Sequence, residues 1–343
     1  MSKKTRKKKD TRQEKNKTKL NKTFKKYNKN SAYPWKKITK KMALDDFKGL
    51  KKVDEMNWRS TKGIRMVDYG SYKLRMRTKY RGKSNVERWN NKVSREKMLG
   101  FAQRLHLGSY NRGNVKPEEI IRSAISLAWS TVNSMRPAFA MNMYKAYGAT
   151  RVLDITAGWG GRMVGAMAAD IDYIGIDSNK KLEPSYNKIK NLCNKQGGSK
   201  SNVVLKFQRA ETVDFSKLGY YDFVFTSPPY EYLELYEGME KYDGNVGQAS
   251  SGNKLKGRPE FYDKFLIPTI KKAYKYLPRG KFLCLNMPDS MYDEIKKRWK
   301  KADNCDSDYL IAKRHGSNLK VSERKGKEKV FCWENKMYLW ERD

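Results

Sequence analysis

The stretch Tyr221–Tyr230 combines residue types that could hold a flat heterocycle. Its first residues are mostly apolar and aromatic, as in a buried parallel strand, and a proline pair follows that a central strand cannot contain. We therefore expect the strand to end at Thr226, at the carboxyl edge where open α/β sheets bind their ligands. There the ring of Tyr230 could stack on a heterocycle, while Ser227 and the Pro228 carbonyl accept the two hydrogens of an exocyclic amine.

A glycine-rich segment precedes this stretch, within a strand-turn-helix pattern at Arg151–Ala168. Gly158 and Gly160 would let the backbone turn tightly and approach a ligand closely. The dinucleotide-binding fingerprint is not met, because Met163 stands where its third glycine is required. The next apolar strand ends in Asp177, an acid that could accept hydrogen bonds from both hydroxyls of a ribose.

The two stretches resemble two motifs of one enzyme family. Ser-Pro-Pro-Tyr after an apolar strand, at residues 227–230, resembles motif IV of the amino-directed DNA methyltransferases, which transfer a methyl group from S-adenosylmethionine to cytosine N4 or adenine N6. Asp-x-x-x-Gly-x-Gly-Gly, at residues 154–161, resembles motif I of class I methyltransferases. The resemblance runs from about Pro117 to Leu339. It implies an α/β fold with the Rossmann-like class I methyltransferase sheet, mostly parallel with an antiparallel last strand.

The resemblance also implies one cofactor, S-adenosylmethionine, and two sets of site residues. The catalytic set comprises Ser227, Pro228, Pro229 and Tyr230. The cofactor-binding set comprises Asp154, Thr156, Ala157, Gly158, Gly160, Asp177, Glu211 and Thr226. Glu211 follows an apolar strand at residues 203–207, where the family contacts the adenine of the cofactor. For the Ser-Pro-Pro-Tyr turn alone, the alternative is a stiffened loop whose tyrosine only packs.

In the mechanism of this family, the amine attacks the sulfonium methyl group directly and in line. Catalysis then depends mainly on orientation and proximity, and no cysteine nucleophile is needed. The target base lies inside a duplex, so it must be flipped out, and Tyr230 would stabilise it there. Ser227 stands where many adenine enzymes have an aspartate, which favours cytosine N4 slightly over adenine N6.

The composition indicates a polyanionic partner. Lys+Arg number 75 against 37 Asp+Glu in 343 residues, a formal net charge of +38. Nucleic acid fits this excess, with DNA expected, RNA possible and an anionic membrane surface as a distant alternative. No apolar run reaches the roughly 18 residues of a spanning helix, and the N-terminus lacks the apolar core of a signal peptide. We therefore expect no membrane partner.

Cysteine and histidine usage argues against a metal site. The 4 cysteines are scattered singly and there are only 2 histidines, so the spacing of a zinc site is not present. Single cysteines of this kind are typical of a reducing intracellular compartment. The basic N-terminus is compatible with the cytoplasm or the nucleus.

Three regions are predicted along the chain. Residues 1–41 form a basic arm, disordered when free, that could be a nuclear address, a phosphate-binding arm or a solubilising tail. Residues 42–110 form a basic accessory region with a β-hairpin, and residues 111–343 form the methyltransferase domain. In the hairpin, the alternation at residues 72–81 would place five cations on one strand face, as a track for phosphates: Lys73, Arg75, Arg77, Lys79 and Arg81.

Two polar segments are predicted to contact the substrate. Residues 238–258, rich in Gly, Ser and Asn, are typical of a mobile substrate loop. The basic residues 313–329 would form a second nucleic-acid contact. They lie between two segments expected to close the sheet as an antiparallel pair, Tyr309–Ala312 and Val330–Leu339.

Two further functions are compatible with the sequence. Related Pro-Pro-aromatic turns modify RNA, so an RNA amino-methyltransferase is the first alternative. The second is a catalytically idle protein that coats DNA and keeps the fold, in which the motifs should be eroded. None of the motifs is visibly eroded in this sequence.

Overall fold

The structure is a computed structural model that describes residues 21–29, 32–55, 57–80, 82–108, 116–129, 131–229, 234–235, 259, 261–300 and 336–342. The chain divides into two compact units. The helical unit contains the described residues of 1–37 and 73–133, and the sheet unit those of 38–72 and 134–343. In the described part of the chain, no helix is long and apolar enough to cross a membrane.

Helices and strands alternate through most of the sheet unit. In chain order the elements are α1 (residues 21–29), α2 (Lys40–Leu50), α3 (Ile64–Arg77), β1 (Lys79–Tyr80), α4 (Asn85–Asn90), α5 (Lys92–Gly108), α6 (Pro117–Trp129), α7 (Pro137–Ala146), β2 (Arg151–Asp154), α8 (Gly161–Ala168), β3 (Asp172–Ile176), α9 (Glu183–Lys195), β4 (Val203–Lys206), β5 (Phe223–Thr226), β6 (Glu234–Leu235), α10 (Ile267–Lys275), β7 (Phe282–Met287), α11 (Asp289–Arg298) and β8 (Lys336–Glu341). A π-helical turn, Phe261–Leu266, leads into α10.

In the described part of the chain, a six-stranded sheet with the order β4-β3-β2-β5-β7-β8 forms the centre of the sheet unit. Neighbouring strands are parallel except β7 and β8, which pair antiparallel with Cys284 opposite Leu339. From β2 the chain proceeds outward to β4, and it then returns to the other side of β2 with β5. This reversal makes the adjoining carboxyl ends of β2 and β5 a topological switch point, the place where open α/β sheets bind ligands.

Apolar side chains cover both faces of this sheet. On one face, Leu153 and Val224 share a buried cluster with Ile270 of α10. On the other face, the ring of Tyr144 in α7 lies 5.8 Å from that of Phe225, centroid to centroid, in an edge-to-face arrangement. Burial on both faces explains why the central strands are almost continuously apolar.

Helix α8 packs closely on α7 through Gly165. A Cβ atom at this position would lie 2.7 Å from the Pro137 carbonyl oxygen and 2.9 Å from the Ala140 Cβ. Only a residue without a side chain permits this approach. The contact fixes α8 beside the sheet, and with it the glycine-rich loop that leads into α8.

The predicted sheet is confirmed in its main features. It is mostly parallel with an antiparallel last strand, and the strands expected from Arg151, before Asp177 and at residues 203–207 correspond to β2, β3 and β4. The strand before the proline pair ends at Thr226, as expected. The predicted closing segment Tyr309–Ala312 lies outside the described residues, as do the predicted substrate loop 238–258 and the basic segment 313–329. Strand β8 pairs with β7.

The predicted β-hairpin is wrong, because residues 64–77 form helix α3. Its buried positions recur at every fourth residue, at Val67, Ser71 and Arg75, which is a helical spacing. Two of these three residues are polar, so the apolar pattern of the sequence did not show the helical period. Ser71 fits the buried face because its hydroxyl donates to the Val67 carbonyl oxygen at 2.9 Å.

The five cations predicted to share a strand face consequently do not share one. Arg75 is buried and donates from Nη1 to a backbone carbonyl at 3.1 Å, and burial lowers its pKa to about 10. Lys73 and Arg77 are exposed on the same helix, and Lys79 lies in β1. Arg81 lies outside the described residues. The predicted phosphate track is therefore not present as a continuous strand surface.

The predicted disorder of residues 1–41 is wrong for part of this segment. Residues 21–29 are helical, and α2 begins at Lys40 with Thr39 as its N-cap, whose Oγ1 accepts from Met42 N at 3.2 Å. Two aromatic residues of this segment, Phe24 and Tyr33, are buried. Residues 1–20 lie outside the described residues, and the predicted boundaries at 41 and 110 do not coincide with the two units.

Substitution of Gly165 tests the close packing of α8 on α7. Gly165→Ala should lower the free energy of unfolding by about 1–3 kcal/mol, because the new Cβ meets backbone atoms that cannot move independently. Gly100→Ala in α5 is the control, since the nearest atom is the end of the flexible Arg104 side chain at 3.7 Å. The control should be neutral or stabilise by about 0.4–1 kcal/mol. Equal effects in urea unfolding would contradict the packing argument.

Candidate functional site

The switch point brings the ends of β2 and β5 into hydrogen-bond contact. Asp154 ends β2 and Thr226 ends β5, and both side chains are completely buried. Thr226 Oγ1 donates to Asp154 Oδ1 at 2.8 Å. Two segments that are distant in the sequence thus meet at the edge where a ligand is expected.

Asp154 is the centre of a buried polar network. Its Oδ2 accepts from Arg162 Nε and from the Tyr173 hydroxyl, both at 2.6 Å. Its Oδ1 also accepts from Thr156 N at 3.2 Å, in addition to Thr226. Four donors therefore satisfy one carboxylate that water does not reach.

The charges of this network stabilise each other. Burial alone would lower the pKa of Arg162, and the Asp154 carboxylate more than reverses this effect, so the guanidinium stays charged. Burial, together with the same carboxylate, raises the pKa of Tyr173 well above its usual value, so its hydroxyl remains a donor. Arg162 also donates from Nη2 to the Thr156 carbonyl oxygen, which attaches α8 to the start of the glycine loop.

Two threonine hydroxyls connect the glycine loop to the proline turn. Thr156 Oγ1 lies 2.5 Å from Thr226 Oγ1 and 3.0 Å from the Ser227 carbonyl oxygen. When Thr226 donates to Asp154, the single hydroxyl hydrogen of Thr156 serves either Thr226 or Ser227. The loop after β2 and the turn after β5 are therefore joined directly through side-chain oxygen atoms.

The glycine loop adopts a backbone that other residues disfavour. Gly158 has φ of 63° and Gly160 has φ of 88°, both in the left-handed region. Gly160 precedes the first residue of α8. The loop is held on two sides, since Ala157 N donates to the Ile176 carbonyl oxygen at 2.9 Å and the Tyr186 hydroxyl donates to the Gly158 carbonyl oxygen at 3.1 Å.

Asp177 faces this loop from the end of β3. Its Oδ2 accepts from Gly158 N at 2.7 Å, and its Oδ1 accepts from Asn179 N at 2.8 Å. Burial raises the pKa of Asp177 to about 6 in spite of these two hydrogen bonds. Each carboxylate oxygen can accept a second hydrogen bond, so the group can still receive two donors from a ligand.

Glu211 lies in a short 3-10 turn, Ala210–Thr212, after β4. Its Oε1 accepts from Arg209 Nε at 2.6 Å, and its carbonyl oxygen accepts from Lys272 Nζ at 2.7 Å. Since β4, β3, β2 and β5 are neighbours, the turn belongs to the same edge of the sheet as Asp177.

The structure divides the predicted site residues into two groups. Asp154 and Thr226 are completely buried, and their side chains bond to each other and to the glycine loop. Ser227 and Asp177 are half-buried at the sheet edge, and Pro228, which follows Ser227, is buried. Tyr230 lies outside the described residues.

Three members of this edge were missed in the sequence: Arg162, Tyr173 and Tyr186. The signal for Arg162 was present, because it is a single charged residue in the otherwise apolar and small segment Gly161–Ala168. The tyrosines gave no comparable signal, since an aromatic residue in a strand or helix is ordinarily part of the core. Within the described ranges, no group of three or more His, Cys, Asp or Glu residues could hold a metal ion.

The comparisons with known proteins found similar chains among solved structures. No protein-family model matches the chain, and no curated protein matches it. Among solved structures, a Listeria monocytogenes protein described as a class I S-adenosylmethionine-dependent methyltransferase is 11% identical, with 88% of each chain covered and a TM-score of 0.39. A Clostridium thermocellum protein described as an rRNA methylase is 15% identical, with 62% of this chain and 100% of that chain covered and a TM-score of 0.33.

A third similar structure is TehB of Haemophilus influenzae, with 13% identity, 48% of this chain covered and a TM-score of 0.31. The match spans 45% of TehB, less than half of its length. The fold assignment depends on the sheet itself. A six-stranded α/β sheet that is parallel except for its last strand has the Rossmann-like architecture of class I methyltransferases.

Loss of Arg162 tests whether the buried network supports the fold. Arg162→Met should lower the free energy of unfolding by about 3–5 kcal/mol, because it leaves the Asp154 carboxylate buried and without its cation. Lys41→Met is the control, since the Lys41–Asp45 pair is 84% and 59% exposed and should contribute less than about 1 kcal/mol. Chemical denaturation of both variants gives the comparison, and a loss below about 1 kcal/mol for Arg162→Met would contradict the role of the network.

Proposed function

We propose that this chain transfers a methyl group from S-adenosylmethionine to the exocyclic amine of a base in nucleic acid. The observation that carries the proposal is the direct connection of the glycine loop to the Ser-Pro-Pro turn at the switch point, through Thr156, Thr226 and Ser227. A methyl donor on the loop and an acceptor amine on the turn would lie next to each other at this edge. Catalysis by orientation requires this proximity.

The cofactor would lie along the carboxyl ends of β2, β3 and β4. The left-handed glycines Gly158 and Gly160 let its methionine part approach the backbone, and Ala157 belongs to the same loop. Asp177 would accept hydrogen bonds from the two ribose hydroxyls on the lone pairs that Gly158 N and Asn179 N leave free. Glu211 would lie towards the adenine, after the next strand.

The acceptor base would bind on the turn after β5. Ser227 and the Pro228 carbonyl would accept the two amine hydrogens, which orients the nitrogen lone pair towards the methyl group. The Ser227 carbonyl oxygen lies 3.0 Å from Thr156 Oγ1, so the acceptors would lie close to the glycine loop. The leaving group of the transfer is an uncharged thioether, so the reaction needs no covalent intermediate with the protein.

The proposed substrate is DNA, with cytosine N4 slightly favoured over adenine N6. The net charge of +38 supports a nucleic acid as substrate, and Ser227 in the turn supports the preference for cytosine over adenine. A base within a duplex must leave the stack before its amine reaches the turn, and Tyr230 is proposed to stack on the flipped base. RNA bases carry the same amines, so methyl transfer has to be measured on both nucleic acids.

The role of Asp177 predicts a pH-dependent affinity for S-adenosylmethionine. Ribose hydroxyls donate to the ionised carboxylate, and the pKa of Asp177 is about 6, so affinity should be full above about pH 7 and fall as the pH drops through 6. Asp177→Ala should weaken binding by about 1.5–3 kcal/mol at neutral pH and remove the pH dependence.

Calorimetric titration from pH 5 to pH 8 gives both quantities. Asp214→Ala is the matched control, because Asp214 is an exposed carboxylate that caps the 3-10 turn at Phe215–Lys217. It should keep the affinity and pH profile of the wild type. Unchanged affinity in Asp177→Ala would contradict the assignment of the ribose contact.

The proposed turn predicts how methyl transfer responds to substitution. Tyr230→Ala should slow transfer by the equivalent of about 1–3 kcal/mol of base stacking and leave cofactor affinity unchanged. Tyr230→Phe should be mild, because stacking needs the ring alone. Ser227→Ala should lower turnover by removing one acceptor, while the Pro228 carbonyl retains part of the activity.

The measurement is mass analysis of nucleosides after reaction of the purified protein with cofactor and with DNA or RNA. The expected product is N4-methylcytosine or N6-methyladenine, without 5-methylcytosine. If the wild type modifies neither nucleic acid, and Tyr230→Ala leaves nucleic-acid binding intact, the idle coating protein is the better interpretation.

A further inference from the structure

Helix α1 has two chemically different faces. It lies in the helical unit, in the segment that the sequence predicted to be a disordered arm. One face carries Asn21, Phe24 and Asn28, and the other face carries lysines at 22, 25, 26 and 29. Because a helix turns once in about 3.6 residues, positions three, four and seven apart lie on the same side.

The face that carries Asn21, Phe24 and Asn28 contacts helix α5 near both ends of α1. Gln103 Nε2 donates to Asn21 Oδ1 at 3.1 Å, and Arg95 Nη2 donates to the Asn28 carbonyl oxygen at 3.3 Å. The two helices are therefore antiparallel. Phe24 is buried between these ends. The apolar part of α1 is thus used within the unit.

Aromatic contacts hold the same face against α4. The ring of Tyr27 meets that of Trp89 edge to face, with centroids 6.0 Å apart. Trp89 is fully buried, and its Nε1 donates to the Ala32 carbonyl oxygen at 3.0 Å, just beyond the end of α1. The orientation of α1 is therefore fixed by contacts with both α4 and α5, and so is the direction of its outer face.

The outer face is a stripe of four ammonium groups. Lys22, Lys25, Lys26 and Lys29 are all exposed, and among the described residues none of the four forms an ion pair or a hydrogen bond. They lie within a sector about 100° wide and extend over about 10 Å of helix. Four like charges at this spacing repel each other, so the stripe lowers helix stability unless anions neutralise it.

We propose that this lysine stripe binds the phosphodiester backbone of the nucleic acid. In duplex DNA each strand carries one phosphate per about 3.4 Å of helix axis, so a stripe of about 10 Å spans about three successive phosphates. Lysine suits this role because it acts as a point charge with rotatable donors and needs no fixed geometry. The contact supplies affinity without sequence preference.

A lipid surface fits the stripe less well. Amphipathic helices that lie on membranes insert an apolar face between the lipids. Of the aromatic residues of α1, Phe24 is buried and Tyr27 packs against Trp89 instead. The exposed residues of α1 are the four lysines and Asn28, which are polar and match a charged polymer in water.

The test measures the salt dependence of binding by the full-length protein, without cofactor. In one variant the four lysines of the stripe are replaced by glutamine, which keeps the helix propensity of these positions. The matched control replaces four lysines that already pair with carboxylates, and it changes the net charge by the same amount: Lys41, Lys145, Lys217 and Lys297. The probes are a short duplex DNA, a single-stranded RNA of the same sequence, and vesicles containing phosphatidylserine.

On DNA, the stripe variant should reduce the slope of log affinity against log salt by about 2–4, because each phosphate that is no longer neutralised contributes about 0.9. On single-stranded RNA the reduction should be smaller, because each phosphate contributes about 0.7. Its affinity at low salt should fall at least about tenfold. The control should change the slope by less than about 1, and arginine at the four stripe positions should restore the wild-type slope. Equal changes in stripe variant and control, no change in either, or a change on vesicles alone would overturn the proposal.

The proposal rests on the proposed function only in taking nucleic acid as the substrate. If the wild type transfers methyl groups and the stripe variant has an unchanged salt slope, the stripe does not bind the backbone and the proposed activity still holds. If the stripe variant has a flattened slope and the wild type transfers no methyl group, the stripe binds the backbone and the proposed activity is contradicted.

Discussion

The Asp154 carboxylate lies out of reach of water at the end of β2, and four donors hold it there. A buried carboxylate without partners is strongly unfavourable, so the donors of Arg162, Tyr173, Thr156 and Thr226 are needed together. They come from α8, from β3, from the loop after β2 and from β5. The network therefore couples the positions of these segments at the switch point.

The same network sets the relation between the two candidate halves of the site. Thr226 Oγ1 donates to the Asp154 carboxylate and is within hydrogen-bond distance of the Thr156 hydroxyl. Thr156 Oγ1 is also within hydrogen-bond distance of the Ser227 carbonyl oxygen. A donor molecule on the loop and an acceptor on the turn would thus be positioned from one buried centre. Such positioning matters for group transfer, because a displacement of about 1 Å can cost about a hundredfold in rate.

The excess of positive charge has two different uses in this chain. Arg162 and Arg75 are buried and bond to groups within the protein, so they belong to the fold. The lysines of α1 point outward, and in the described part of the chain no carboxylate pairs with them. Net charge alone does not separate these uses, because burial decides which cations are available to a partner. The distinction removes the predicted hairpin as a continuous phosphate contact, and within the basic arm it leaves the lysines of α1 as the candidate.

The sequence by itself determined the parts of the fold that depend on neighbouring residues. Apolar runs predicted the central strands, the glycines predicted the tight turn at Gly158 and Gly160, and the proline pair predicted the strand end at Thr226. These features follow from local backbone preferences, so they appear in a single chain segment. Only the tertiary structure decided that Arg75 lies inside a helix and that Asp154 is the buried centre of a polar network. A polar side chain becomes part of a core when partners from distant segments satisfy it, and these partners are not visible in the local sequence.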